Sequence, residues 1–275
     1  MENKILLPVR AIPGSPPIAN ALLIAAGLIA SGVILFSCAA LNEQLFRTLN
    51  ALLPIQNLWM PFTALGDGLA AGCVLYMVFR ARSSILATAL VAGLIAYFAS
   101  QGLKVLFAIA RPEHTLGFEH VYLLGPLLAA DNFSMPSGHA ITALMMGTII
   151  IQQLKLNTIN RWLLVSILIL TCLSRIAIGA HWPADILVGA GLGILIGTLC
   201  GRLPIKINRQ WLALFIHALF LPFFVLSITK YYLGAGADLH NIIIALLGAG
   251  AFTVWVLTMV RILKSSANNP VHTTV

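Results

Sequence analysis

Residues 174–185 read SRIAIGAHWPAD, so Ser174, Arg175, His181 and Asp185 crowd together in a chain with only 9% charged residues. Asp185, four residues after His181, can reach back and hold the imidazole by one ring nitrogen. That fixes the tautomer and leaves the other nitrogen free to attack or to carry a proton. Pro183 suits the first turn of a helix, so His181 precedes that helix and the i, i+4 relation is approximate. The plain structural alternative is an ion pair between Arg175 and Asp185. A second stretch, KVLFAIARP, sets Lys104 and Arg111 seven residues apart, two helical turns, so both can project from one face of a helix end. Pro112 pulls Arg111 toward an extended backbone and ends that helix. Alone, the two cations read equally well as side chains reaching for lipid headgroups. A third stretch, PSGH, offers Ser137 as the N-cap of a new helix with His139 in its first turn. The unpaired N–H groups and the helix dipole there make an anion site, and Gly138 lets a ligand approach the backbone. Three fixed cations and such a nest match the charge that spreads over phosphoryl oxygens during transfer. One histidine oriented by an acid and a second to protonate the departing oxygen complete a two-step hydrolysis.

Such residues need helices that bring them to one side of a membrane. The chain has 275 residues, 60% of them hydrophobic, and a mean hydropathy of +0.97. Apolar runs long enough to span a bilayer recur along it, while barrel strands would show short alternating segments. The fold class is therefore all-α, a polytopic helical membrane protein. We place eight spans, at about 18–38, 60–79, 84–108, 138–154, 161–180, 183–201, 210–229 and 240–262. The net charge of +8 does not imply nucleic acid, because the basic residues are scattered between apolar runs and not gathered in a patch. Cys38, Cys73, Cys172 and Cys200 lie in or beside spans without metal-ligand spacing and read as packed thiols.

Several other features have plain readings. Lys4 and Arg10 ahead of the run 18–41 fit either a signal peptide or an uncleaved first helix, and the long lead favours the latter. The segment after it carries Leu41, Leu45, Leu49 and Leu52 or Leu53 at helical spacing. It either lies in the interface plane or is a packed connecting helix. Gly189, Gly193, Gly197 and Gly201 form a stripe for close helix packing. Asp67 reads as a helix cap or headgroup contact, His217 as a packed histidine, and Trp59, Trp182 and Trp255 as interfacial anchors. His114 and His120 read as solvated loop residues, Asp238 and His240 as a possible border of the site, and the tail after Lys264 as disordered.

Eight spans put both termini on one side. That side receives Lys4, Arg10, Arg80, Arg82, Lys155, Arg161, Arg202, Lys206, Arg209, Arg261 and Lys264, eleven cations. The other receives five: Arg47, Lys104, Arg111, Arg175 and Lys230. The positive-inside rule makes the first side cytoplasmic and places the three chemical stretches on the outer face.

Taken together, the K(x6)RP, PSGH and SR(x5)H(x3)D patterns at 104–112, 136–139 and 174–185 resemble the three-part signature of the type 2 phosphatidic acid phosphatase (PAP2) family. Order and internal spacing match without departure. The resemblance implies a catalytic core over residues 60–201, an N-terminal helix and amphipathic connector over 1–59, and two added helices with a polar tail over 202–275. It implies that His181 is the nucleophile that forms a phosphohistidine, that Asp185 orients it, and that His139 protonates the leaving group. Lys104, Arg111, Ser137, Gly138 and Arg175 would bind the phosphate. No metal or other cofactor is expected, since the cations supply the charge a metal would bring, although Glu113, Glu119 and Asp131 lie in the same loop. The family's soluble vanadium-dependent haloperoxidases bind vanadate with the same residues, a role that membrane character argues against. The expected activity is removal of a terminal phosphate from a lipid at the outer side of a bacterial inner membrane. Undecaprenyl diphosphate, phosphatidylglycerophosphate, phosphatidic acid and lipid A are candidate substrates. The expected partners are that lipid and the bilayer, with no nucleic acid; the sequence leaves the oligomeric state open. A phosphotransferase using the same phosphohistidine is the near rival, and a transporter the rival of another class.

Overall fold

The computed structural model describes residues 18–52, 56–124, 129–203, 205–232 and 239–267. Lys4, Arg10, Asp238, positions 125–128 of the long loop and the tail from 268 lie outside the described residues. Among the described residues the regular structure is entirely helical. In chain order the helices are α1 (Ile18–Ser37), α2 (Ala39–Leu52), α3 (Gln56–Leu65), α4 (Gly68–Phe79), α5 (Ser83–Phe107) and α6 (Pro112–Leu116). They continue with α7 (Gly138–Gln153), α8 (Thr158–Ala177), α9 (Pro183–Cys200), α10 (Gln210–Ala218), α11 (Leu221–Tyr232) and α12 (Leu239–Ala267).

Among the described residues six helical stretches are long and apolar enough to cross a membrane, and a seventh counts if α3 and α4, bent by 70° at Gly66 and Asp67, form one broken span. The bend has a local cause. Asp67 is the N-cap of α4, and its Oδ1 accepts from Leu69 N at 2.7 Å and from Ala70 N at 3.4 Å. An expected eighth span, α7, has 16 residues. That is about 24 Å of helix, short of a hydrocarbon core of about 30 Å. The count of eight is therefore not established.

Helix α9 is the axis of the bundle, packed between α1 and α7. Its glycine stripe makes this possible. A Cβ at Gly193 would lie 2.5 Å from Ile141 O, one at Gly197 2.8 Å from Met145 O, and one at Gly189 2.6 Å from Ser137 O. On the opposite side a Cβ at Gly191 would lie 2.7 Å from Ala25 O of α1. Backbone thus meets backbone, as the spacing predicts.

The connector α2 packs, but of its stripe leucines only Leu49 is seen to join the packing, beside Phe46 and Trp182. Leu41, Leu45 and Leu52 stay exposed, while Asn42, Phe46 and Asn50 on the other face are buried. Asn50 Nδ2 donates to Ile176 O at 2.9 Å and Tyr122 O at 3.1 Å, and its Oδ1 accepts from Tyr122 N at 2.9 Å. Asn42 Oδ1 accepts from Ala184 N at 3.1 Å. Two asparagines therefore tie α2 to the end of α8 and the start of α9.

The main apolar core lies between α4, α5, α7 and the C-terminal helices, with Tyr76, Phe79, Leu86, Ile149, Phe220 and Phe224 at its centre. Met145 and Met146 fill it. Helix α12 runs along α11 and crosses α3 and α4. The tryptophans correct the expectation of interfacial anchors: Trp59 and Trp182 are each 7% exposed. Trp182 Nε1 donates to Ala110 O at 2.9 Å and Trp255 Nε1 to His217 O at 3.0 Å, so their polar ends are met by protein. Of the cysteines, Cys73, Cys172 and Cys200 are buried and Cys38 is exposed.

Candidate active site

Helix α5 stops at Phe107 because Ala108 is left-handed, with φ 48°, and its N–H donates to Lys104 O at 2.9 Å. Lys104 and Arg111 therefore do not share a helix face, contrary to the two-turn expectation; a turn intervenes. Arg111 is extended (φ −74°, ψ 160°), with Pro112 opening α6, as the proline demands. Its guanidinium is buried and fully directed. Nε donates to Asn132 O at 2.7 Å, Nη2 to Asn132 Oδ1 at 3.0 Å and Nη1 to Ala180 O at 2.7 Å. Lys104 remains half-exposed in the last turn of α5.

Two main-chain bonds set the entry to α7. Ser134 N donates to Ile109 O at 2.8 Å and Ser137 N to Asp185 O at 3.1 Å. Ser137 caps the helix, its Oγ accepting from Ala140 N at 3.5 Å. The N–H groups of Gly138 and His139 then have no acceptor within the helix. His139 is half-buried against the α3–α4 bend. A Cβ on Gly66 would come within 2.9 Å of His139 Cβ and 3.1 Å of its Cδ2.

The third stretch is a helix end, a tight turn and a helix start. Gly179 has φ +79°, and a Cβ there would lie 2.7 Å from Tyr122 O, so the position needs glycine on both counts. The turn lets Ala180 N and His181 N both donate to Arg175 O, at 3.0 and 3.2 Å. His181 is 1% exposed. Its Nδ1 lies 3.3 Å from Asp185 Oδ2 and 3.3 Å from Ser134 Oγ. Asp185 Oδ2 also accepts from Trp182 N at 2.9 Å and from the Ser134 hydroxyl. One ring nitrogen is thus held by two side chains while Nε2 is left to the site. Asp185 does not pair with Arg175 among the described residues. Arg175 Nη1 donates instead to Thr63 Oγ1 of α3, and its buried Nε has no partner.

His181 sits in a positive field. Burial is the larger cause and the charges of Arg111, Arg175 and Lys104 the next; together with His139 they hold the imidazole pKa well below 6.5. The ring is neutral at pH 7, with a lone pair to give. The buried side-chain atoms near it without partners are Arg175 Nε, Asp185 Oδ1 and Glu113 Oε2. Of these, the Arg175 Nε–H is a donor that suits an incoming anion, whereas the two carboxylate oxygens accept only. Among the described residues no group of three His, Cys, Asp or Glu is placed to hold a metal ion.

All eight predicted site residues, Lys104, Arg111, Ser137, Gly138, His139, Arg175, His181 and Asp185, thus come from helix ends and turns at one end of the bundle. Three others were not foreseen. Thr63 meets Arg175, Asn132 takes two of the Arg111 donors, and Ser134 joins His181 to Asp185. Their only forewarning is position: Ser134 and Asn132 precede PSGH, and Thr63 precedes the GDG that breaks α3 from α4. His120 stays exposed beside Glu119, and His114 packs edge-on against Phe118.

The profile of the PAP2 superfamily matches residues 84–209. An undecaprenyl-diphosphatase from Sulfolobus acidocaldarius is 29% identical over 183 residues, covering 62% of this chain and 81% of that protein. The crystal structure of LpxE from Aquifex aeolicus superposes with a TM-score of 0.50 at 29% identity, over 58% of this chain and 94% of that one. That of a transmembrane PAP2 type phosphatidylglycerolphosphate phosphatase from Bacillus subtilis gives 0.49 at 20% identity, over 70% and 98%.

Proposed function

We propose, from the match of residues 84–209 to the PAP2 superfamily and the geometry of the site, that this membrane protein removes the terminal phosphate of a lipid mono- or diphosphate by way of a phosphohistidine. One observation supports the mechanism: His181 is buried and neutral, held at Nδ1 by Asp185 and Ser134, and lies within the field of Arg111, Arg175 and Lys104. Arg111, Arg175, Lys104 and the first N–H groups of α7 grip the phosphoryl oxygens. His181 Nε2 attacks phosphorus, and the N–P bond forms as the bond to the lipid oxygen breaks. His139 gives its proton to that oxygen. Water then attacks phosphorus, yields a proton to His139 and releases inorganic phosphate, restoring His181.

Residues 60–201 form the catalytic core in this reading. The named activity of the Sulfolobus relative favours a diphosphate-bearing lipid, with phosphatidylglycerophosphate, phosphatidic acid and lipid A as the other candidates. With the α3–α4 pair and α7 both counted as crossings, the eleven-to-five charge bias supports a bacterial inner membrane, with the site on the outer side and both termini in the cytoplasm. The deciding experiment incubates purified protein with a lipid diphosphate labelled in its terminal phosphate. Free labelled phosphate is the expected product. Label on an acceptor lipid makes the enzyme a phosphotransferase, and unimpaired lipid flux in proteoliposomes of the His181→Ala variant makes it a transporter.

A further inference from the structure

A cavity of about 640 Å³ opens at His139 and Gly138 and runs between α4, α5, α7 and α11. Its volume lies within the range of small-molecule sites. Polar groups, Asp67, Ser100, Gln101, His139 and Lys230, come from helix ends on the side of the site. Away from them the lining is apolar and includes Ala71, Gly72, Ala89, Leu90, Gly93 and Met145. The far end is closed by Phe220 and Phe223, whose ring centroids lie 5.6 Å apart. The Phe223 ring occupies the place a Cβ on Gly72 would need. These two rings, like Gly72 and the α3–α4 bend, lie outside the residues 84–209 that match the family. The C-terminal helices therefore supply a wall of the cavity from outside the matched region.

The geometry points to a chain-binding subsite: this cavity takes one hydrocarbon chain of the lipid phosphate, and Phe220 and Phe223 set how long a chain fits. The shape suits such a ligand: the cavity is polar at the end where Gly138 and His139 of the site border it and apolar beyond, while His181 and the three cations lie outside its lining. Oil-like walls are lined with small residues, leaving room for a flexible chain. The inference rests on the lipid-phosphatase reading and extends it to chain selectivity.

The test compares phosphate release from dioleoyl and dihexanoyl phosphatidic acid by the full-length protein in bilayer nanodiscs. A Cβ on Gly93 meets nothing within 4 Å, so Gly93→Phe sends a ring into the cavity without a clash at its root. It should lower the dioleoyl-to-dihexanoyl ratio of kcat/KM by about tenfold or more, with the dihexanoyl rate kept within about twofold. Phe223→Ala should raise the rate on dierucoyl over dioleoyl phosphatidic acid. A ratio unchanged in both variants overturns the subsite alone, while a wild type that releases phosphate from neither lipid overturns the enzymatic reading first. A phosphatidic acid with a diazirine at the chain end, bound to His181→Ala, keeps the question open to test if a cavity variant does not fold. Its label should fall on residues 219–223, and label confined to the lipid-facing surfaces of α1 and α8 overturns the proposal.

Discussion

Two buried histidines stand at opposite ends of this bundle, and they are built for different ends. His217, 0% exposed, is surrounded by neutral partners. Its Nδ1 lies 2.9 Å from Tyr76 Oη, its Nε2 3.3 Å from Ser83 Oγ, and its ring meets Tyr76 edge-on. Both ring nitrogens are spent, and Trp255 takes its carbonyl. The cluster fastens α10 and α12 to α4 and α5. His181 is as deeply buried, yet only one of its nitrogens is held, and Arg175, Asp185 and Glu113 beside it keep atoms with no partner. Burial is common to both. What distinguishes a reactive site is hydrogen-bonding capacity left unused and charge left uncancelled, which is costly unless a ligand arrives to use it.

Substitutions that treat the two ends alike should give opposite results. His181→Ala should cut phosphate release by about 10⁴-fold with the thermal melt preserved, as loss of a nucleophile does. Retained turnover would remove the distinction at its root. Arg175→Lys replaces a planar fork by a point charge and should lower kcat/KM by about 100-fold. Thr63→Val leaves a second guanidinium donor of Arg175 unmet, so kcat should fall by about tenfold while Thr63→Ser restores it. A valine variant with full activity would make the bend mere scaffolding.

Acidity separates the ends as well. In the proposed mechanism the nucleophile is a neutral His181 whose pKa lies below 6.5, so the nucleophile is lost only as pH falls through that lowered value. The acid limb of kcat/KM should accordingly lie below pH 6.5, and Arg111→Gln should shift it upward by removing a nearby positive charge. The same shift makes acid destabilising, because below pH 6.5 the unfolded chain binds the proton more readily than the folded one. The smallest effect on turnover belongs to His217→Ala. Activity should stay within about twofold while stability to denaturant falls by about 1–3 kcal/mol, the cost of stranding buried hydroxyls.

The sequence carried the membrane class, and it singled out residues that gather at one end of the bundle because ionisable groups are scarce in an apolar chain. It did not carry Thr63, Ser134 or Asn132, whose residue types occur throughout any protein and whose roles depend on contacts far along the chain. The terminus expected for α5 holds to within a residue, but the shared face expected of Lys104 and Arg111 fails because an alanine, which favours helix, takes the left-handed cap at position 108. Helix α2 was read by its leucine stripe, whereas its buried face is organised by asparagines that a hydropathy pattern counts as solvent-facing. The packing of α10–α12 on α3 and α4 had no local signature, because apolar helices tell little about which neighbour they choose.

Gly189 sits directly beneath Ser137, so the strand of backbone that cradles the anion rests on the helix that begins just after the attacking imidazole. No side chain cushions that contact. A side chain at position 189 would push the start of α7 away from α9, and with it Ser137 and His139 away from His181 and Asp185.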